Sequence, residues 1–184
     1  MKKVSDTNRQ RGSVLTISLL ILIVLILIGV TNMGTTALEE KMSGNLRDQN
    51  LSFQAGESAV RAGEGWISQQ IAIPDKVSVC ATPPCDVWDA AAADIAGVAN
   101  QPYNWWEANA KEFGVTGTQE FADLNGDPYY IVEELYASSP GLNIGTGNTT
   151  TRRLVYRVAA TGAGASDSTQ SILASTFAKE WYGH

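Results

Sequence analysis

Residues 14–30 read VLTISLLILIVLILIGV, and the charge-free run around them extends from Gly12 to Leu38. A helix of about 20 residues crosses the ~30 Å hydrocarbon core of a bilayer. More than a dozen Leu, Ile and Val, at about −0.3 to −0.6 kcal/mol each, favour insertion by roughly −5 kcal/mol. The hydroxyls of Thr16 and Ser18 are expected to bond back to the preceding helical turn, which lowers their cost in lipid. Lys2, Lys3, Arg9 and Arg11 precede the run and Glu39 and Glu40 follow it. The positive-inside rule then puts the short N-terminus in the cytoplasm and the bulk of the chain across the inner membrane.

Three readings compete for this segment. A cleaved secretory signal expects an apolar core of about 7 to 15 residues and a small-x-small site; Thr35-Thr36-Ala37 offers the site, but the run is too long. A plain single-pass anchor is the second. The third rests on Arg11-Gly12-Ser13, where a basic leader ends in Gly at the cytoplasmic edge of the apolar run. This resembles the leader of type IV prepilins. The resemblance implies a prepilin peptidase that cuts after Gly12 and methylates Ser13. Ordinary pilins begin with Phe and carry Glu at the fifth mature position; Ser13 and Ile17 stand there instead. A subunit without that carboxylate is best tolerated at a filament tip, as in the K-type minor pseudopilins of type II secretion.

Beyond the run, Leu46, Phe53, Val60 and Ile67 recur at a seven-residue spacing, with Met42 one turn earlier. One helical stripe therefore continues past the bilayer. Gly56 and Gly63 lie on the adjoining row, where a missing side chain admits a sheet or another helix closely; a flexible helix is the alternative. Gly29, Gly34 and Gly44 weaken the helix earlier, where many pilins carry a helix-breaking Pro. Residues 38–64, LEEKMSGNLRDQNLSFQAGESAVRAGE, are similar in order to the PilX N-terminal family of minor type IV pilins. The resemblance implies an α+β pilin-like fold: a long N-terminal helix, its transmembrane half followed by an amphipathic half, packed on a small antiparallel sheet. The expected divisions are a leader (1–12), a transmembrane part (13–38), an amphipathic continuation (39–72) and a periplasmic or extracellular head (73–184).

In the head, Pro74, the segment CATPPC and the Ala-rich WDAAAADIAGVAN suggest a loop and then a short helix opening near Asp86 or Asp89. Cys80 and Cys85, with four residues between them, fit a local disulfide in an oxidising compartment. Strands are expected over Pro128–Ala137, Arg152–Thr161 and Ser168–Ala178, punctuated by turn formers as in an antiparallel meander. The loop SSPGLNIGTGNTTT reads as exposed. Asp123, Asn125, Asp127 and Glu134 occupy the first, third, fifth and twelfth places of a calcium-binding loop. Pro128 stands where that loop needs Gly, and Asn125-Gly126 reads more simply as a tight hairpin turn. Tyr103, Trp105 and Trp106 form the most aromatic stretch, either buried or an adhesive platform.

The composition narrows function further. A formal net charge of −6 argues against nucleic acid. One His, at position 184, and two Cys remove the usual catalytic triads and most zinc sites. Glu133 and Glu134 are consecutive on a strand, point to opposite faces and are poor partners for acid–base work. The chain is expected to be no enzyme and to carry no cofactor. By resemblance it is a minor pilin that starts or caps a pilus and supports twitching motility and adherence. Its expected partners are other minor pilins, the major pilin, a tip-associated adhesin and the prepilin peptidase. A type II secretion pseudopilin and a pilus-borne adhesive module are the alternatives.

Overall fold

The computed structural model describes residues 13–92, 97–115, 117–138 and 151–182. Gly12 and the rest of the leader, the loop Asn143–Thr150, and His184 lie outside the described residues, as do Ala93–Ala96.

A single helix, α1 (Ser13–Gln69), opens the chain. The strands and helices that follow are β1 (Lys76–Val77), β2 (Val87–Asp89), a 3₁₀ turn at Val98–Asn100, α2 (Tyr103–Asn109), β3 (Lys111–Glu112), β4 (Tyr129–Ser138), β5 (Thr151–Ala163) and β6 (Gln170–Tyr182). They form one six-stranded sheet in the order β1-β2-β4-β5-β6, with β3 on β4. The chain separates into two compact units, one ending at Asn45 and one beginning at Leu46.

Within the second unit the central strands β4 and β5 are largely buried on both faces, while β6 is exposed at Ala174, Thr176 and Ala178, on the face away from α1. The sheet's alternating side chains decide which residue faces which layer. On one side Tyr130, Val132, Leu154, Tyr156, Val158 and Ala160 pack with Ala59, Val60 and Ile67 of α1. On the other, Tyr129, Ile131 and Ala159 pack with Trp88, Val98, Trp106 and Ala110. β4 and β5 therefore lack the apolar/polar alternation of a half-exposed sheet and read as nearly continuous apolar runs.

The meander β4-β5-β6 is antiparallel, as the sequence suggests, and each strand lies within a few residues of its expected place. The sheet as a whole is mixed, because β1 pairs β2 and β2 pairs β4 in parallel. The helix expected to open near Asp86 or Asp89 is not there. Val87 and Trp88 are buried to 1% exposure as strand β2, and Asp89 Oδ1 accepts the Ala91 N–H at 3.0 Å. The short helix is α2, fourteen residues beyond Asp89. Asn125-Gly126 is no two-residue hairpin turn either: it lies in the longer connection from β3 to β4. There the Asn125 N–H bonds the Gly164 carbonyl at 2.8 Å and the Tyr103 ring covers Gly126.

Candidate functional site

α1 has two different surroundings along its length. Between Val14 and Val30 its large apolar side chains are all exposed, and among the described residues no large side chain from there up to Leu46 is buried. The helix is long and apolar enough there to cross a membrane. Thr16 Oγ1 and Ser18 Oγ donate to the carbonyls of Ser13 and Leu15 at 3.0 and 2.9 Å. Their hydroxyls are thus satisfied within the helix, as lipid requires.

From Ser52 onward the same helix is seated on the sheet. The contact face is small: Ser52, Ala55, Gly56, Ala59 and Gly63. A Cβ at Gly63 would come within 2.5 Å of Val158 Cγ1 and 2.9 Å of Tyr130 Cδ2. On β5, a Cβ at Gly162 would fall onto the Ser52 carbonyl and the Gly56 N–H. Helix and strand backbones therefore touch almost directly, which only glycine allows. Val60 and Ile67 of the seven-residue stripe are buried in this seam, whereas Leu46 and Phe53 are 60% and 48% exposed. A seven-residue repeat on a straight helix drifts by roughly 20° per repeat, so the stripe turns out of the seam towards its N-terminal end.

Polar contacts pin the seam at both ends. Near its start, Asp48 Oδ1 accepts the N–H groups of Ala165 and Ser166 at 2.5 and 3.2 Å, and Oδ2 accepts Ser166 Oγ and Thr169 Oγ1 at 2.5 Å each. These bonds, the two hydroxyls foremost, hold the Asp48 carboxyl down at about 2. Midway, Ser52 and Ser171 share a hydroxyl bond of 2.6 Å, and Ser175 Oγ donates to Glu64 Oε1 at 2.6 Å. At the far end Lys179 Nζ donates to the carbonyls of Ile67, Ser68 and Gln70 at 2.8, 2.9 and 2.6 Å. A cation on the last carbonyls of a helix satisfies orphan acceptors and the helix dipole together. Burial draws the Lys179 pKa downward.

Glu133 and Glu134 do face opposite ways. Glu133, wholly buried, pairs with Arg157 of β5, and that bond raises the arginine pKa. Glu134 pairs with Lys76 at 3.1 Å on the α1 side; Lys76 also meets Asp89 at 3.2 Å, and the two carboxylates raise its pKa, Glu134 first. Each is a charge compensated where it is buried, and neither is placed to move a proton for the other.

The four residues of the calcium-loop pattern are not brought together. Glu134 is committed to Lys76, Asp127 Oδ1 accepts the Glu120 N–H at 3.3 Å, and Asn125 uses its backbone on Gly164. Among the described residues no three His, Cys, Asp or Glu side chains converge on a metal position. Of the aromatic stretch, Trp106 is fully buried, while Tyr103 and Trp105 are partly so. The Tyr103 hydroxyl donates to the Asp127 carbonyl at 2.5 Å, and burial raises its pKa. Cys80 and Cys85 are joined in a disulfide whose halves pack against the Trp88–Trp106 cluster. Lys111 lies over the Trp66 ring at 3.8 Å while pairing with Asp86 at 2.6 Å, which ties the segment after the disulfide to α1.

Asp48, Gly162 and Lys179 went unremarked in the sequence. Asp48 and Lys179 reach partners more than 100 residues away, so no local pattern announces them. Gly162 sits in TGAG, where a turn glycine and a packing glycine look alike.

Comparison with known families agrees with this arrangement. A family model described as PilX N-terminal matches residues 11–61, and one described as Type IV pilus assembly protein PilX C-term matches residues 70–179. No curated protein and no solved structure matches the chain.

Proposed function

The chain belongs to the PilX family and is thereby a membrane-anchored minor pilin of type IV pilus assembly, and from that premise we propose that it helps initiate or cap the pilus, supporting piliation and, through it, twitching motility and adherence. The leader is residues 1–12, removed by the prepilin peptidase between Gly12 and Ser13. Its N-terminus starts in the cytoplasm and its head in the periplasm, before the subunit joins the pilus on the cell surface. The partners are other minor pilins, the major pilin and a tip-associated adhesin. The family is a structural component of the pilus, and the role assigned is assembly without catalysis.

The observation that carries this reading is the division within α1. One stretch keeps its Leu, Ile and Val exposed, and the next is locked to a sheet through glycine. Such a helix stays out of water only in lipid or against other such helices, so transfer from membrane to fibre core keeps its apolar surface covered. Ile17, in the place of the usual carboxylate, removes a buried charge that would need a neighbour's amine. That favours a place at the tip.

Deletion of the gene tests the proposal. Loss of surface pili and twitching, with type II secretion intact, is the expected result. Normal piliation with impaired secretion would instead make the protein a pseudopilin.

A further inference from the structure

β6 is the outer strand of the sheet. Among the described residues it pairs only with β5, through thirteen consecutive register pairs without a bulge. A strand paired on one side leaves a row of backbone N–H and C=O groups on the other. Edge strands are ordinarily blunted by an outward lysine, a proline, a bulge or a cover. From Gln170 to Ala178 there is neither charge nor proline. The two charged residues beyond are engaged within the molecule: Lys179 caps α1, and Glu180 pairs with Arg153.

The flank of this edge is open on the α1 side. A groove of about 440 Å³ runs between Gln49, Asn50 and Phe53 of the helix and Ser168–Ser171. Phe53 is half exposed, and Leu173 and Phe177, the helix-side residues of β6, are only partly buried. A seventh strand beside β6 would set every second side chain over these three residues, since alternate residues of a strand share a face.

We propose that β6 is a strand-addition site: it receives an extended, uncharged segment of another protein, apolar at alternate positions, whose backbone completes the β6 ladder and whose apolar side chains cover Phe53, Leu173 and Phe177. Backbone pairing supplies affinity in this mode and the alternating pockets supply choice of sequence. A second copy is the poorer occupant. The contacts Ser52–Ser171, Glu64–Ser175 and Ile67–Lys179 make α1 and β6 run in the same sense. Antiparallel pairing of β6 with its own copy would turn the two α1 helices in opposite senses. Copies whose α1 stretches from Leu46 to Gln69 run side by side in the same sense cannot pair in that way.

The inference rests on the pilus reading only for the source of the segment. The test is hydrogen–deuterium exchange of the full-length chain, solubilised with its pilus-assembly partners and again after it is stripped of them. The amides between Ser171 and Ala178 that point away from β5, every second one, are expected to exchange about tenfold more slowly in the complex, as amides gaining a strand partner do. Thr176→Lys, alone or with Ala174→Lys, puts charge on exposed positions beside the incoming strand; it should abolish that protection while leaving the melting temperature of the stripped protein unchanged. Equal exchange in both preparations would overturn the proposal. So would protection that grows with the concentration of the stripped protein, which would assign the edge to a second copy. Piliation of the deletion strain is scored separately, so loss of pili without β6 protection rejects the strand-addition site and leaves the pilus role standing.

Discussion

α1 offers two stretches of one helix with opposite fates. Its glycines make the contrast plainest. Around Gly29, Gly34 and Gly44 a Cβ would meet nothing within 4 Å, whereas at Gly63 it would strike Val158 and Tyr130. Ser13–Asn45 is far richer in large apolar residues, yet those between Val14 and Val30 are all exposed. Leu46–Gln69 is more polar, and it supplies the core. Apolar content therefore marks what must avoid water, and small residues at close spacing mark what the sheet can grip. The first property suits a changing apolar environment; the second fixes one partner.

The contrast breaks most forcefully at Ile67. Ile67→Ala empties a fully buried position and should cost about 3 to 4 kcal/mol of unfolding free energy. Leu46→Ala, on the same stripe but exposed, should stay within about 0.5 kcal/mol. Denaturant midpoints of the full chain in detergent measure both. Equal losses would mean that the stripe is one surface and the contrast false.

Next come the glycines. Gly63→Val drives a side chain into Val158 and Tyr130, so overpacking should cost about 2 to 3 kcal/mol. Gly29→Val, with open space around it, should leave the melting of the head unchanged. The disulfide sharpens the comparison from the sheet's other face. Opening the short Cys80–Cys85 loop with Cys85→Ser should cost about 2 kcal/mol by the chain-entropy relation, read as a lowered melting temperature with α1 helicity in detergent unaltered.

The smallest expected effect is at Asp48. Its folded pKa is depressed to about 2 from 3.8. The stability it adds is therefore complete above the unfolded value and is lost as pH falls through the folded one. Between pH 4 and pH 2 the wild type should lose protection of the Ala165 and Ser166 amides. Asp48→Asn should show less protection there at pH 7 and little further loss on acidification.

Much of this layout can be read in the residues alone. The apolar stretch of α1 stands out because a charge-free Leu/Ile/Val run of this length is enough to cross a membrane. Strands β4, β5 and β6 stand out by their β-branched and aromatic content between turn formers, and the paired cysteines by their spacing. Gly56 and Gly63 hint at a close approach without saying what approaches. The misses share a cause. Strands of two or three residues, such as β1, β2 and β3, are too short to show periodicity, so their parallel and edge pairings are set by tertiary packing alone. Val87-Trp88 beside an alanine run looks like the start of a helix until Trp88 finds its place among Trp106 and Ile131. Leu46 and Phe53 repeat with Val60 and Ile67, but how far the sheet reaches along α1 is decided by the strands.

The account stands on α1 being a processed anchor that carries a pilus subunit. Mass spectrometry of the mature N-terminus, from cells with and without prepilin peptidase, tests this most directly. An N-methylated Ser13 in the presence of the peptidase, and an uncut leader in its absence, is the predicted result. A chain that begins after Ala37, or one left uncut in both strains, would contradict it.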